Sequence, residues 1–109
     1  MSDQSETTDE PTDETSEDLL RDLSAVIEDR KENLPEGSYT TSLFTHEKGE
    51  NRALEKLGEE ATEFVLAAKD ADEEELAHEG ADIVYHMLVV LAMHDVDVDD
   101  LLDELRERR

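Results

Sequence analysis

The chain is 109 residues long, 36% hydrophobic and 4% aromatic, with 33 acidic residues against 10 basic ones and a formal net charge of −23. That length allows one small domain, which buries only about 60–65% of its unfolded surface and so profits from a core shared between copies. The charge excludes nonspecific nucleic-acid binding, because such a surface repels phosphate backbones, and the absence of cysteine excludes a disulfide framework and a thiolate metal site.

Met1–Thr15, "MSDQSETTDEPTDET", is too polar to bury enough surface to offset ordering, so residues 1–16 are expected to be a disordered acidic tail and 17–109 the folded domain. Residues 1–18 hold eight of the acids and no base; without them 25 acids still face 10 bases, a net charge of −15 over 91 residues. Acid spread over a whole surface suits concentrated salt, where a Debye length of about 3 Å at 1 M removes self-repulsion. No signal peptide is apparent, since Met1 is the one large apolar side chain among the first eighteen residues.

A first helix is predicted over about Glu17–Glu32, with Leu19, Leu20, Leu23, Val26 and Ile27 recurring at spacings of three and four. Pro35 and Gly37 break it, and a short helical turn is expected over Thr41–Lys48, closed by Gly49. The next helix spans about Glu50–Lys69, with Leu54, Leu57, Ala61, Phe64, Val65 and Ala68 as its apolar stripe. Asp72, three residues before Glu75, reads as the N-cap of a long helix over Glu73–Met93. Asp97 caps a last short helix, about Asp99–Glu107, with Leu101, Leu102 and Leu105 inward. No strand pattern occurs, and the longest apolar run, Met87–Met93, is far short of the roughly 20 residues of a membrane span. The expectation is a soluble, cytoplasmic, all-α bundle of about four to five helices, completed by dimerisation, with no membrane or nucleic-acid partner.

Acid pairs at i, i+3 are common in so acidic a chain, and most belong to solvated faces. Two differ. On the long helix Glu75, Glu79, Asp82 and His86 share a stripe that continues through Val89 and Met93, where the helix becomes apolar all round. On the preceding helix Lys56, Glu60, Glu63 and Ala67 share another, beside the apolar face. Set face to face, Glu60, Glu63, Glu79 and Asp82 surround one small volume. Unpaired, such carboxylates are costly to desolvate and tend to protonate; a hard divalent cation resolves this, Mg²⁺ or alternatively Mn²⁺.

Lys48, Arg52 and Lys56 recur every fourth residue and lead into Glu60, as a polyphosphate site requires; the bland alternative pairs them with Glu47, Glu55 and Glu59 on the surface. His86 reads first as a core-edge histidine with a satisfied hydrogen bond. His46, His78 and His94 read as surface or boundary residues. Tyr39 and Tyr85 read as packing residues, with base stacking as the alternative.

The segments "SYT" (Ser38–Thr40), "KGENR" (Lys48–Arg52), "KLGEEATE" (Lys56–Glu63), "AAKD" (Ala67–Asp70) and "EGADIVYHMLVVLA" (Glu79–Ala92) resemble the phosphoribosyl-ATP pyrophosphatase family, among the MazG-like all-α NTP pyrophosphatases marked by ExxE…ExxD. The likeness covers roughly Leu19–Arg106. It implies Mg²⁺-dependent hydrolysis of phosphoribosyl-ATP to phosphoribosyl-AMP and pyrophosphate, the second step of histidine biosynthesis, by a homodimer of intertwined helices. By that resemblance Glu60 and Glu63 match ExxE and Glu79 and Asp82 match ExxD, as metal ligands. Glu59 matches the first acid of "GEE" and would orient or deprotonate the water. Lys48, Asn51, Arg52 and Lys56 would hold phosphates, with Ser38, Tyr39 and Thr40 near the substrate. This chain has Glu55 where the family often has a second base beside Lys56, its acidic extension before Leu19 has no family counterpart, and it has no room for a fused cyclohydrolase. The rival readings are a housekeeping NTP or dNTP pyrophosphatase with the same site and a non-catalytic helical partner protein.

Overall fold

A computed structural model of the chain describes residues 14–109, and the acidic tail expected before them lies outside the described residues up to residue 13. Five helices follow one another: α1 Ser16–Asn33, α2 Tyr39–Thr45, α3 Glu50–Lys69, α4 Glu73–Met93 and α5 Val98–Glu107. The described residues are all-α, as the periodicity predicts. Helix α1 starts in a capping box: the Thr15 hydroxyl accepts from the Asp18 N–H at 3.0 Å while Asp18 Oδ2 accepts from the Thr15 N–H at 3.3 Å. Asp72 and Asp97 cap α4 and α5 as expected, accepting from the N–H of Glu75 and of Asp99.

The short helix departs from its predicted span. Ser38 caps it by accepting from the Thr41 N–H at 3.2 Å, so α2 begins at Tyr39 rather than Thr41. It ends at Thr45, and His46–Gly49 form a turn in which Gly49 has φ +62°. Lys48 therefore sits in that turn, ahead of α3, and does not share a helical face with Arg52 and Lys56.

Helices α3 and α4 form an antiparallel hairpin, the most extensively packed pair in the fold, with α1 laid across α4, α2 and α5. The connection is only Asp70–Asp72. Ala71 takes the left-handed conformation there, φ +56°, and the N–H groups of Asp72 and Ala71 bond the carbonyls of Ala67 and Ala68 at 3.0 and 3.1 Å. This Schellman-type ending reverses the chain at once, which brings the second half of α3 opposite the first half of α4.

The core lies at the other end of α4, where Leu88, Val89 and Ala92 pack with Ile27, Leu43, Ala53 and Val98. Lys31 of α1 closes this end by donating to the Ala92 carbonyl at 2.8 Å and pairing with Asp95 at 2.7 Å. By length and composition α4 is apolar enough to cross a membrane; here its C-terminal half is the centre of the core.

Much of the apolar stripe of α3 is uncovered. Its buried residues are Ala53, Glu60 and Ala67, whereas Leu54 and Phe64 are exposed, Val65 is 56% exposed and Leu66 50%. Across the hairpin Val84 is also open. One copy thus leaves several apolar side chains of α3 and α4 without a cover.

Candidate active site

Beyond the core the hairpin opens into a cleft of about 540 Å³, lined by Lys56, Glu59, Glu60 and Glu63 from α3 and by Glu75, Glu79 and Asp82 from α4. The four carboxylates of the two predicted stripes, Glu60, Glu63, Glu79 and Asp82, thus share one volume. With Glu59 and Glu75 they make six carboxylates against a single ammonium. Desolvation, hydrogen bonding to Glu75 and the charges of Glu75 and Asp82 raise the Glu79 carboxyl above its ordinary value, with His78 opposing. Protonation is how a crowded acid cluster relieves itself without a cation.

Glu60 is set apart from the others by burial, being 6% exposed beside a His86 that is 4% exposed. Nδ1 of His86 lies 2.7 Å from Glu60 Oε1 and 3.0 Å from the Asp82 carbonyl oxygen. On the far side of the ring the Tyr39 hydroxyl lies 2.8 Å from Nε2. Tyr85 flanks the same imidazole edge-on and shares a short hydrogen bond with the Thr40 hydroxyl. The start of α2 is thereby latched to α4, directly behind the cleft. Burial and the neighbouring charges of Glu60, Asp82 and Glu59 raise the Tyr39 phenol, with Arg52 opposing, so its hydroxyl stays protonated.

The remaining predicted residues are distributed unevenly. Lys56 lines the cleft and pairs with Glu59 at 3.6 Å, while Lys48 pairs with Glu55 at 3.1 Å. These are the surface pairings of the bland alternative, but exposed pairs contribute only about 0–1 kcal/mol, so a phosphate can recruit either amine. Among the described residues no carboxylate pairs with Arg52. Asn51 is exposed on the first turn of α3, outside the cleft lining. Ser38 is the α2 cap and Thr40 is buried; both have structural tasks, and Tyr39, 50% exposed, is the member of "SYT" that connects to a cleft carboxylate.

Two residues were missing from the predicted site, Glu75 in the cleft lining and His78 beside it. Glu75 lies on the same stripe as Glu79, one turn earlier, and that spacing was the available signal. His78 places Nε2 3.4 Å from Asp82 Oδ2, and ligand atoms of His78, Glu79 and Asp82 fall within 4.8 Å of one another. Its signal was the i, i+4 spacing to Asp82, weak in an acidic chain.

A family model described as "Phosphoribosyl-ATP pyrophosphohydrolase" matches residues 20–109. The chain is 71% identical over 92 residues to the phosphoribosyl-ATP pyrophosphatase of Haloarcula marismortui, a match covering 84% of this chain and 94% of that one. It is also 71% identical over 93 residues to the phosphoribosyl-ATP pyrophosphatase of Halobacterium salinarum, covering 84% and 98%. Against the protein of that name from Methanocella arvoryzae the identity is 48% over 92 residues, covering 84% and 97%.

Proposed function

The chain belongs to the phosphoribosyl-ATP pyrophosphohydrolase family, and from that premise we propose that it hydrolyses phosphoribosyl-ATP to phosphoribosyl-AMP and pyrophosphate, a step of histidine biosynthesis. A soluble cytoplasmic enzyme goes with that reading. The observation that carries it is the convergence of α3 and α4 carboxylates on one cleft beside Lys56.

The donor set fits Mg²⁺, with Mn²⁺ as the alternative: it is all oxygen and strongly anionic, and the chain has no cysteine. Glu60, Glu63, Glu79 and Asp82 would hold the cation. Bound there, it neutralises polyphosphate oxygens and lowers the pKa of a water. The chain's own residues do the rest. Glu59, exposed on the cleft wall, orients the attacking water and takes its proton. Lys56, released from Glu59, and Arg52 meet the charge that builds on the leaving pyrophosphate. Lys48 and Asn51 extend this phosphate-binding edge, and Tyr39, beside Ser38 and Thr40, borders the substrate. Cleavage between the α- and β-phosphates leaves a monophosphate on the nucleoside.

The uncovered apolar side chains Leu54, Phe64, Val65, Leu66 and Val84 support a homodimer built on the α3–α4 hairpin, since burying them recovers about 25 cal/mol per Å². A Val65→Asp chain is expected to sediment as a monomer; an unchanged sedimentation coefficient would move the interface elsewhere.

The direct test of function is pyrophosphate release in molar potassium chloride, with and without Mg²⁺, from phosphoribosyl-ATP and from a panel of dNTPs. Release from phosphoribosyl-ATP that requires Mg²⁺ and exceeds every dNTP supports the reading. Preference for a dNTP identifies the housekeeping alternative instead.

A further inference from the structure

We propose that His86 is a positioning residue for the cleft: through Nδ1–H it locks the Glu60 carboxylate in place, and Tyr39 anchors the ring from behind. The inference rests on the reading of Glu60 as a cation ligand. Its geometry stands on its own. Nδ1 faces both Glu60 Oε1 and the Asp82 carbonyl oxygen, at 2.7 and 3.0 Å. A carbonyl oxygen only accepts, so the hydrogen sits on Nδ1 whether the ring is neutral or cationic. In the neutral ring Nε2 then carries a lone pair, and the Tyr39 hydroxyl, 2.8 Å away, donates to it.

Packing leaves the ring little freedom. Tyr39 and Tyr85 meet it edge-on, with centroids 5.7 and 5.6 Å away and interplanar angles of 85° and 87°. Both Glu60 and His86 are buried. With Oε1 engaged by Nδ1–H, the carboxylate is held at one oxygen and Oε2 is left free as a donor, so Glu60 is preset before any cation arrives. A group that orients a ligand from behind governs cation affinity without touching the ion.

The test is Mn²⁺ titration of the full-length, substrate-free protein by electron paramagnetic resonance, with circular dichroism on each variant and ¹⁵N resonances of the His86 ring. The wild-type ring should show a protonated Nδ1 and a bare Nε2, and Tyr39→Phe should move the Nε2 resonance while leaving Nδ1 protonated. A ring protonated only at Nε2 overturns the inference. His86→Leu should weaken Mn²⁺ binding about 10–100-fold, whereas His86→Asn, whose amide nitrogen is as many bonds from Cβ as Nδ1 is, should stay within about threefold of wild type. A folded His86→Leu binding Mn²⁺ like wild type overturns the inference; should that variant not fold, His86→Asn decides, and its losing binding tenfold or more has the same force. Glu60→Gln separates the two levels. If it loses Mn²⁺ while His86→Leu does not, only the positioning role fails; if it keeps Mn²⁺, the reading of the cleft fails with it.

Discussion

Glu60→Gln changes one buried oxygen into an amide nitrogen and almost nothing in volume. The Gln carbonyl still accepts from His86 Nδ1, which now lies 2.7 Å from the carboxylate. A hydrogen bond to a charged group contributes about 1.5–3 kcal/mol and one between neutral groups about 0.5–1.5, so the fold loses on the order of 1 kcal/mol. Removing one of six crowded carboxylates offsets part of that. Turnover has no such compensation, because an anionic ligand is gone and the amide donates toward the ion. Residues behind metal ligands cost about 10–100-fold when changed, so loss of a ligand should cost at least about a hundredfold, or about 2.7 kcal/mol in the barrier. Pyrophosphate release and a thermal melt on the same preparation separate the two effects. A near-normal rate would refute the assignment of Glu60, and an unfolded variant would show its main task to be structural.

Two further outcomes follow from charge. Glu79 is raised above its ordinary value of 4.5, so in the cation-free protein its contribution to stability is present below the unfolded value and lost as pH rises through the raised folded one. Cation binding needs the opposite, deprotonated form. Mn²⁺ affinity is therefore expected to fall as pH drops through the window just above 4.5, with proton release on binding by calorimetry as the check; affinity flat across that window contradicts the shift. Asp95 does not blur this window: Lys31 lowers it from 3.8, and the stability it contributes is lost only as pH falls below that. The net charge of −23 predicts salt-dependent folding, with the melting temperature by circular dichroism rising at least about 4–8 °C, roughly 1 kcal/mol, between dilute buffer and molar potassium chloride. A melt indifferent to salt would remove the argument from spread acid.

Most of the helical layout was legible because caps and periodicity agree locally: α3 and α4 span the predicted residues, and Asp72 and Asp97 cap where their side chains reach the next turn. The miss at α2 has a local cause, since "GSYTT" reads as a breaker unless Ser38 is seen as a cap. The spacing of four stacks Lys48 with Arg52 and Lys56 at the helix start, but Gly49 at φ +62° turns the chain before the helix begins. The two acid stripes were legible because each runs beside an apolar face, and the stripe of α4 continues into the buried His86 and Val89. What spacing could not tell was which partner His86 finds: its bond to Glu60 crosses between helices and depends on their register. The apolar stripe of α3 exposes the same limit, because periodicity marks a face that must be covered without saying whether the cover is the same chain or another.

The proposed chemistry turns on a divalent cation shared by α3 and α4. Crystals grown with Mn²⁺ and measured for anomalous scattering test it most directly. The prediction is a single strong site, or a close pair, in contact with Glu60, Glu63, Glu79 and Asp82. Anomalous density confined to other surface acids, with this cleft empty at saturating Mn²⁺, would contradict it.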